Sequence, residues 1–272
     1  PWWRNFSFNI LTHITLQARL QRYAVSSGEG AMSKASDKGL SRNAYHQMLL
    51  QLKGWINKLQ PKDTGATVWG DYEQTHTYTG EEEQAKHRFV GEYCAAVKPA
   101  LMFDFGCNSG EYSQTALESG AEKVVGFDFD QGALERAFAR ARAQSLNYLP
   151  LFLDAANPSP GQGWNSEERM GMAGRDKADG LVALAFEHHL TIGRNIPMDR
   201  MITWIMSFAP TGVIEFVQKS DPTVQQLLML REDIFDDYTE ENFEHLLASG
   251  ARIVKKETVA ATGRTLYWYD RT

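Results

Sequence analysis

Three aspartates, Asp104, Asp128 and Asp154, each follow a short apolar run. A turn with glycines at Gly106 and Gly110 follows the first of them, and glycine lets a backbone bend sharply and approach a ligand closely. Asp128 comes 24 residues after Asp104, a spacing at which a carboxylate can accept hydrogen bonds from both hydroxyls of a ribose. Asp154 is placed to meet an adenine amine. These residue types and spacings predict a nucleoside-containing ligand.

A pair of histidines follows a fourth apolar run, residues 180–186. An imidazole has a pKa near 6.5, which suits proton removal at neutral pH. We therefore take His189, His188 and Glu187 as the candidate catalytic residues, and prefer His189 if the alternation of the chain turns it into the cleft. A role in packing or in cofactor contact is the alternative for both histidines. Glu215 is a further candidate for the same role, or a buried, paired carboxylate.

Alternating strands and helices must position these residues. Five apolar runs predict strands at residues 101–103, 123–127, 148–153, 180–186 and 212–217. Helical spacing of apolar residues predicts helices at 111–119, 131–143, 197–208, 223–230 and 240–248. Two last strands, 252–259 and 265–269, are separated by too short a turn for a parallel crossover and must be antiparallel. The pattern predicts an α/β fold with a Rossmann-like, doubly wound sheet of seven strands.

The first part of the chain has a different character. Residues 1–65 carry no strand signal, and residues 44–59 have apolar side chains at helical spacing, so we expect a helical extension before a main domain at residues 66–272. Residues 60–80 form an aromatic-rich loop, and Thr79 and Glu82 form a capping box for the next helix. The extension either packs on the main domain, closes over a substrate or forms the contact of a homodimer.

Composition excludes several classes of protein. Among 272 residues, 43% are hydrophobic and 23% charged, which is ordinary for a globular protein and unlike a disordered chain or a coiled coil. The net charge of −6 gives no basic balance for binding nucleic acid. Two cysteines make no disulfide framework or zinc pattern, so we expect reduced thiols and no metal site. No run is long enough to cross a membrane and no signal peptide is visible, so we expect a cytoplasmic protein without a membrane partner.

The motifs together resemble a known family. Asp-x-Gly-Cys-Asn-x-Gly at residues 104–110, Val-Val-Gly-Phe-Asp at 124–128 and a strand ending in Asp154 resemble a class I S-adenosylmethionine-dependent methyltransferase. The reversed last strand matches that fold, in which the seventh strand lies antiparallel between the fifth and the sixth. The resemblance covers residues 100–272 and implies S-adenosylmethionine as the cofactor.

Other segments resemble a narrower group. Residues 153–164, the segment Ala183-Leu184-Ala185-Phe186-Glu187-His188-His189-Leu190, and residues 214–219 and 231–235 are similar to a bacterial group of nodulation-type methyltransferases. In that group we expect Ile or Leu before the paired histidines, where this chain has Glu187. This narrower resemblance supports the same fold and the same cofactor.

The resemblance implies roles for individual residues. Gly106 and Gly110 would line the methionine moiety, Asp104 would hold the amino group, and Asp128 would bind the ribose. The expected cofactor-binding residues are Asp104, Gly106, Cys107, Asn108, Gly110, Tyr112, Asp128, Phe129, Asp154 and Ala155. Phe129 would flank the adenine and Asp154 would meet its amine. The alternatives are a helix N-cap for Asp128 and a plain cap or turn for Asp154.

The function predicted from these observations is transfer of a methyl group to a small-molecule acceptor by in-line displacement. An RNA or protein methyltransferase is the first alternative, but the chain has no basic stripe and no Asn-Pro-Pro-Tyr motif after the fourth strand. A non-catalytic cofactor-binding scaffold is the second alternative. The Gly-x-Gly-x-x-Gly fingerprint of a nicotinamide dehydrogenase and the Gly-Lys-Ser/Thr of a P-loop are both absent.

Overall fold

A computed structural model describes residues 10–16, 18–19, 22, 41–59, 80–175, 177–229 and 231–272. The chain forms two compact units, Pro1–Asp63 and Thr64–Thr272. In the first unit the structure describes a short π-helix at Leu11–Thr15 and helix α1 at Arg42–Ile56, which confirms the helix predicted over 44–59. The proposed Thr79 cap and the aromatic loop lie outside the described residues.

The second unit alternates strands with helices, as predicted. Its strands are β1 (Met102–Phe105), β2 (Val124–Asp128), β3 (Tyr148–Phe152), β4 (Gly180–Ala183), β5 (Thr211–Phe216), β6 (Arg252–Thr258) and β7 (Thr265–Asp270). Its helices are α2 (Gly80–Val97), α3 (Glu111–Glu118), α4 (Gln131–Ala143), α5 (Glu187–Arg194), α6 (Met198–Met206), α7 (Pro222–Leu228) and α8 (Glu240–Gly250). Short 3-10 helices lie at Trp164–Ser166 and Met172–Gly174.

The strands form one seven-stranded sheet in the order β3-β2-β1-β4-β5-β7-β6. The first five strands are parallel, and β7 is antiparallel to both β5 and β6, which confirms the predicted fold class. Because β1 pairs with β2 and β4 on either side, the order reverses at β1. In such sheets, ligands bind beyond the carboxyl ends of the strands at this reversal.

Burial explains why the central strands are mostly apolar. Every residue of β1, β4 and β5 is buried, because helices cover both faces of the sheet. Large apolar clusters lie on each side, one including Phe105, Ile202 and Phe243 and the other including Phe89 and Val90. No helix among the described residues is long and apolar enough to cross a membrane.

Some local predictions were wrong. Asp104 does not follow the first strand but lies within it, with 3% of its surface exposed. Apolar spacing in the helix predicted over 131–143 favours an inward Phe138, but this side chain is exposed on α4, whose buried face consists of small residues. The fourth strand is shorter than predicted, and Glu187 begins helix α5. His188 and His189 are therefore consecutive residues of a helix. Their side chains point in different directions around the helix axis and do not alternate between two faces, as they would in a strand.

Candidate functional site

A cavity of about 250 Å³ opens at the carboxyl ends of the parallel strands. Residues after β1, β2, β3 and β4 contribute to it, together with one face of α5 and Leu227 of α7. Seven of the residues predicted from the sequence line it: Gly106, Asn108, Asp128, Phe129, Asp154, Ala155 and His189. The cavity therefore lies at the reversal of strand order, and its wall is largely aromatic and aliphatic.

The turn after β1 depends on its glycines for different reasons. Gly106 has φ +75 and Gly110 has φ +84, a region that strongly favours glycine. A Cβ atom on Gly106 would lie 3.0 Å from a ring carbon of Phe186, across the cavity wall. A Cβ atom on Gly110 would lie only 2.6 Å from the ring of Tyr148. Gly110 does not line the cavity, so packing against Tyr148 accounts for it.

Asp128, at the end of β2, organises the backbone around the cavity. Its Oδ2 accepts a hydrogen bond from the N–H of Asn108 at 2.9 Å, and its Oδ1 accepts one from the N–H of Asp130 at 2.9 Å. Burial raises the pKa of Asp128, and these backbone hydrogen bonds oppose the rise. The N-cap of α4 is Asp130, which accepts from the N–H of Ala133 at 3.0 Å. The capping role considered for Asp128 therefore belongs to its neighbour.

Two further predicted residues lie beside Asp128 in the cavity wall. Oδ1 of Asp154 accepts a hydrogen bond from the N–H of Ala156 at 3.0 Å, so this carboxylate also shapes a turn. Phe129 has 51% of its surface exposed at the cavity rim. The side-chain oxygen of Asn108 is buried without a hydrogen-bond partner among the described residues. A buried acceptor of this kind calls for a donor that the described residues do not supply.

Four predicted cofactor contacts do not line the cavity: Asp104, Cys107, Gly110 and Tyr112. Asp104 accepts a hydrogen bond from the hydroxyl of Ser113 at 2.6 Å, inside the protein. Burial raises the pKa of Asp104 to about 7, although this hydrogen bond opposes the rise. Cys107 is a buried thiol, and Tyr112 packs against the ring of His87. These residues support the turn from behind.

The two histidines have different surroundings. His189 lines the cavity, and burial lowers its pKa to about 4, with the charge of Arg264 adding to the effect. Its imidazole is therefore neutral at pH 7 and is a weaker base than a free imidazole. His188 is fully buried, neither ring nitrogen has a hydrogen-bond partner in the described part of the chain, and its ring lies 4.2 Å from that of His189. The structure thus brings His189, but not His188, to the cavity.

Glu187 also lies away from the cavity, in a buried contact with Tyr238. Its Oε1 accepts from the N–H of Val217 at 3.2 Å and contacts the hydroxyl oxygen of Tyr238. That hydroxyl lies 2.7 Å from the carbonyl oxygen of Val217, and its single proton cannot serve both oxygens. A protonated Glu187 supplies the missing proton. Burial, which raises the pKa of Glu187 to about 8, favours this neutral form.

Four charged residues form a buried cluster that the sequence did not predict, although Glu215 was considered as a buried, paired carboxylate. Nζ of Lys86 lies 2.7 Å from Oε1 of Glu215, and the guanidinium of Arg264 forms two hydrogen bonds with Asp221 at 2.8 and 2.9 Å. All four side chains are at most 2% exposed. They come from α2, β5 and the turns after β5 and before β7. No local pattern links such distant positions, so no sequence signal could have identified the cluster.

A second polar cluster lies on the surface of α2 and α3. Glu83, His87 and Glu111 bring potential ligand atoms within 4.8 Å of one another. Contacts within the protein account for these groups, because Nε2 of His87 lies 3.8 Å from Glu83 and a nitrogen of Arg140 lies 3.3 Å from Glu111. None of the three lines the cavity.

Comparison with known proteins finds a relative that is similar in sequence along nearly the whole chain. No protein-family model matches it. It is 44% identical over 267 residues to the nodulation protein NoeA of Rhizobium meliloti, a match that covers 98% of this chain but 56% of NoeA. The chain thus spans about half the length of that relative. Over 56 residues it is 43% identical to the ribosomal protein L11 methyltransferase of Colwellia psychrerythraea, covering 20% of this chain and 19% of that protein.

Solved structures share the fold. The magnesium protoporphyrin IX methyltransferase of Synechocystis PCC 6803, with bound S-adenosylhomocysteine, has a TM-score of 0.50 and 17% identity, covering 70% of this chain and 84% of its own. The N-methyltransferase NodS of Bradyrhizobium japonicum has a TM-score of 0.51 and 13% identity, covering 70% and 97%. The chain therefore has the fold of S-adenosylmethionine-dependent methyltransferases, which confirms the resemblance predicted from its motifs.

Proposed function

We propose that the chain is an S-adenosylmethionine-dependent methyltransferase and that its cavity holds the cofactor. The observation that carries the proposal is the convergence of Asn108, Asp128 and Asp154 from three separate turns on one cavity at the reversal of strand order. The fold shared with solved methyltransferases supports the same conclusion.

The residues around the cavity fit this cofactor. A carboxylate offers about four lone-pair positions, and backbone N–H groups use two of those on Asp128. Unused lone pairs on its two oxygens suit the hydroxyls of a ribose. The orphaned oxygen of Asn108 suits an amino group, and the exposed ring of Phe129 offers an apolar face for the adenine. Asp154 would accept a hydrogen bond from the adenine amine.

When bound, the cofactor supplies an electrophilic methyl group on a sulfonium. The chain must then hold the acceptor in line with that group and exclude water. Leu184, Phe186 and Leu190 supply an apolar wall near His189. The lowered pKa keeps His189 neutral at pH 7, and its lone pair would accept a hydrogen bond from the hydroxyl or the neutral amine of the acceptor and orient it towards the methyl group.

The acceptor we propose is a small molecule. The cavity wall is mainly apolar, and Arg194 is the one arginine or lysine among the described residues that line it, so it offers no basic groove for RNA. NodS, a protein of the same fold, is an N-methyltransferase, and NoeA is a nodulation protein. Reduced, buried thiols at Cys94 and Cys107 suit the cytoplasm, where we place the reaction. Methylation of a protein or RNA is the alternative.

Calorimetric titration of the purified chain tests the proposal. S-adenosylmethionine and S-adenosylhomocysteine should each bind with a micromolar dissociation constant, and NAD should not bind. A folded chain that binds neither sulfur compound would refute the proposed cofactor. Incubation with S-adenosylmethionine labelled in the methyl group and fractionated metabolites should then transfer label to a small molecule, whereas label found in protein or RNA would support the alternative acceptor.

A further inference from the structure

The turn after β4 contains a strained residue in the cavity wall. Ala185 lines the cavity with φ +47, although L-residues with a side chain disfavour the left-handed region. The next residue, Phe186, packs its ring against Gly106 on the opposite wall. If Ala185 left this conformation, the direction of the chain at Phe186 would change and the cavity would change shape. Something must therefore hold Ala185 in place.

A side chain from the neighbouring strand makes the required contact. Oε2 of Glu215, in β5, accepts a hydrogen bond from the N–H of Ala185 at 2.7 Å. A hydrogen bond to a carboxylate is stronger than one between neutral groups. Glu215 is completely buried, so water cannot replace it as the acceptor.

Glu215 is itself held from two sides. The ammonium of Lys86 lies 2.7 Å from Oε1 and donates a hydrogen bond to Oε2 at 2.9 Å. A guanidinium nitrogen of Arg264 lies 3.5 Å from Oε1, while the same guanidinium is anchored on Asp221. Buried charges persist only when they are paired and hydrogen-bonded, as here. The carboxylate is therefore fixed in position relative to α2, β5 and the turn before β7.

We propose that Glu215 is a positioning residue, which acts through the N–H of Ala185 to keep the cavity wall in the conformation that binds the cofactor. It does not line the cavity, and it would act without touching the cofactor. The inference rests on the proposed function, because cofactor affinity is its first readout. The structural claim itself is narrower: an acceptor oxygen on the side chain at position 215 keeps Ala185 in the left-handed conformation.

Three variants separate the hydrogen bond from the charges. The leucine variant, Lys86→Met with Glu215→Leu, removes the ion pair and the acceptor together, and a buried ion pair replaced by apolar side chains of similar volume often leaves stability intact. The glutamine variant, Lys86→Met with Glu215→Gln, removes the charges but keeps an acceptor oxygen. The glycine variant adds Ala185→Gly to the leucine variant, and it restores the left-handed conformation without an acceptor because glycine adopts it freely.

Titration with S-adenosylhomocysteine should rank these variants. The leucine variant should bind about tenfold more weakly than the glutamine variant, because a left-handed alanine without support is populated in only a fraction of molecules. The glycine variant should regain most of the affinity that the leucine variant loses. As a matched control, Ala156→Gly added to the leucine variant should recover none, since Ala156 lines the cavity without a positive φ. Equal affinity of the leucine and glutamine variants, or equal recovery by both glycine substitutions, would overturn the inference.

Amide hydrogen exchange without ligand keeps the two proposals distinguishable. The N–H of Ala185 should exchange more slowly in the glutamine variant than in the leucine variant, with circular dichroism used to verify folding in both. If the wild-type chain fails to bind S-adenosylhomocysteine but this difference appears, the proposed function fails and the positioning role stands. Identical exchange of Ala185 in the two folded variants would overturn the positioning role whatever the chain binds.

Discussion

The two sides of the cavity are built in different ways. After β2 and β3, Asp128 and Asp154 accept hydrogen bonds from backbone N–H groups two residues further along the chain. Behind the wall at β4 and β5, the polar groups form buried pairs between distant elements, such as Lys86 in α2 and Glu215 in β5, which are 129 residues apart. One side is thus encoded by short local motifs, and the other is assembled only when the fold is complete.

This difference implies different consequences of mutation. The local carboxylates hold turns that line the cavity, so their loss should act mainly on binding. The buried charges hold elements together, so leaving one of them without a partner should act mainly on stability. The variants below test this contrast, beginning with the largest expected effect.

Arg264→Met should cause the largest loss of stability. It leaves Asp221 buried without its two guanidinium hydrogen bonds, and Glu215 loses a second cation. The free energy of unfolding should fall by about 3–5 kcal/mol, the usual result of breaking a buried ion pair. Chemical denaturation measures this loss. Arg252→Met, which removes an exposed pair with Asp270, should cost no more than about 1 kcal/mol. Similar losses in the two variants would contradict the structural role of the buried charges.

Gly110→Ala tests the packing of Tyr148 against the turn after β1, on the side away from the cavity. The new Cβ would lie 2.6 Å from the ring of Tyr148, at a backbone φ of +84. Strain and overpacking together should lower the free energy of unfolding by about 3 kcal/mol. Gly193→Ala is the control, because it lies within α5 and its Cβ would meet neighbours no closer than 3.9 Å. That variant should keep or slightly raise stability, and a loss equal to that of Gly110→Ala would refute the packing argument.

Glu187→Gln tests the neutral carboxyl group beside Tyr238. Because the folded pKa of about 8 exceeds that of the unfolded chain, the folded state holds a proton that the unfolded state has released at pH 6.5–8. Wild-type stability should therefore fall as the pH rises from 6.5 to 8, by about 2 kcal/mol from this group. Glutamine mimics the protonated acid and should remove most of the decline.

Thermal or chemical unfolding at several pH values would measure this effect. Asp104, with a folded pKa of about 7, contributes in the same direction, mainly below pH 7. The buried histidines have lowered pKa values and add stability as the pH rises through 6.5, but both proteins share this contribution, so the difference between the wild type and Glu187→Gln isolates Glu187. An equal decline in the wild type and in Glu187→Gln would contradict a folded pKa of about 8 for Glu187.

The sequence predicted the fold well because its signals were periodic and local. The parallel strands, the helix Gln131–Ala143 and the antiparallel end of the sheet follow from apolar spacing and a short turn. Asp128 and Asp154 could be assigned to the cavity for the same reason. Glu187 and His188 could not be oriented, because a helix begins one residue after Phe186 where the apolar run suggested a strand. The partner of Glu215 could not be inferred, because Lys86 lies 129 residues away in the sequence.

The affinity of two matched variants for S-adenosylhomocysteine tests the central claim most directly. Asp128→Asn removes a charged acceptor that we assign to the ribose, while Asp130→Asn changes a capping residue that asparagine replaces well. By calorimetric titration, Asp128→Asn should bind about 30-fold more weakly than the wild type or worse, equivalent to at least about 2 kcal/mol. Asp130→Asn should bind within about threefold of the wild type. Unchanged affinity in a folded Asp128→Asn variant would contradict the assignment of this cavity to the cofactor.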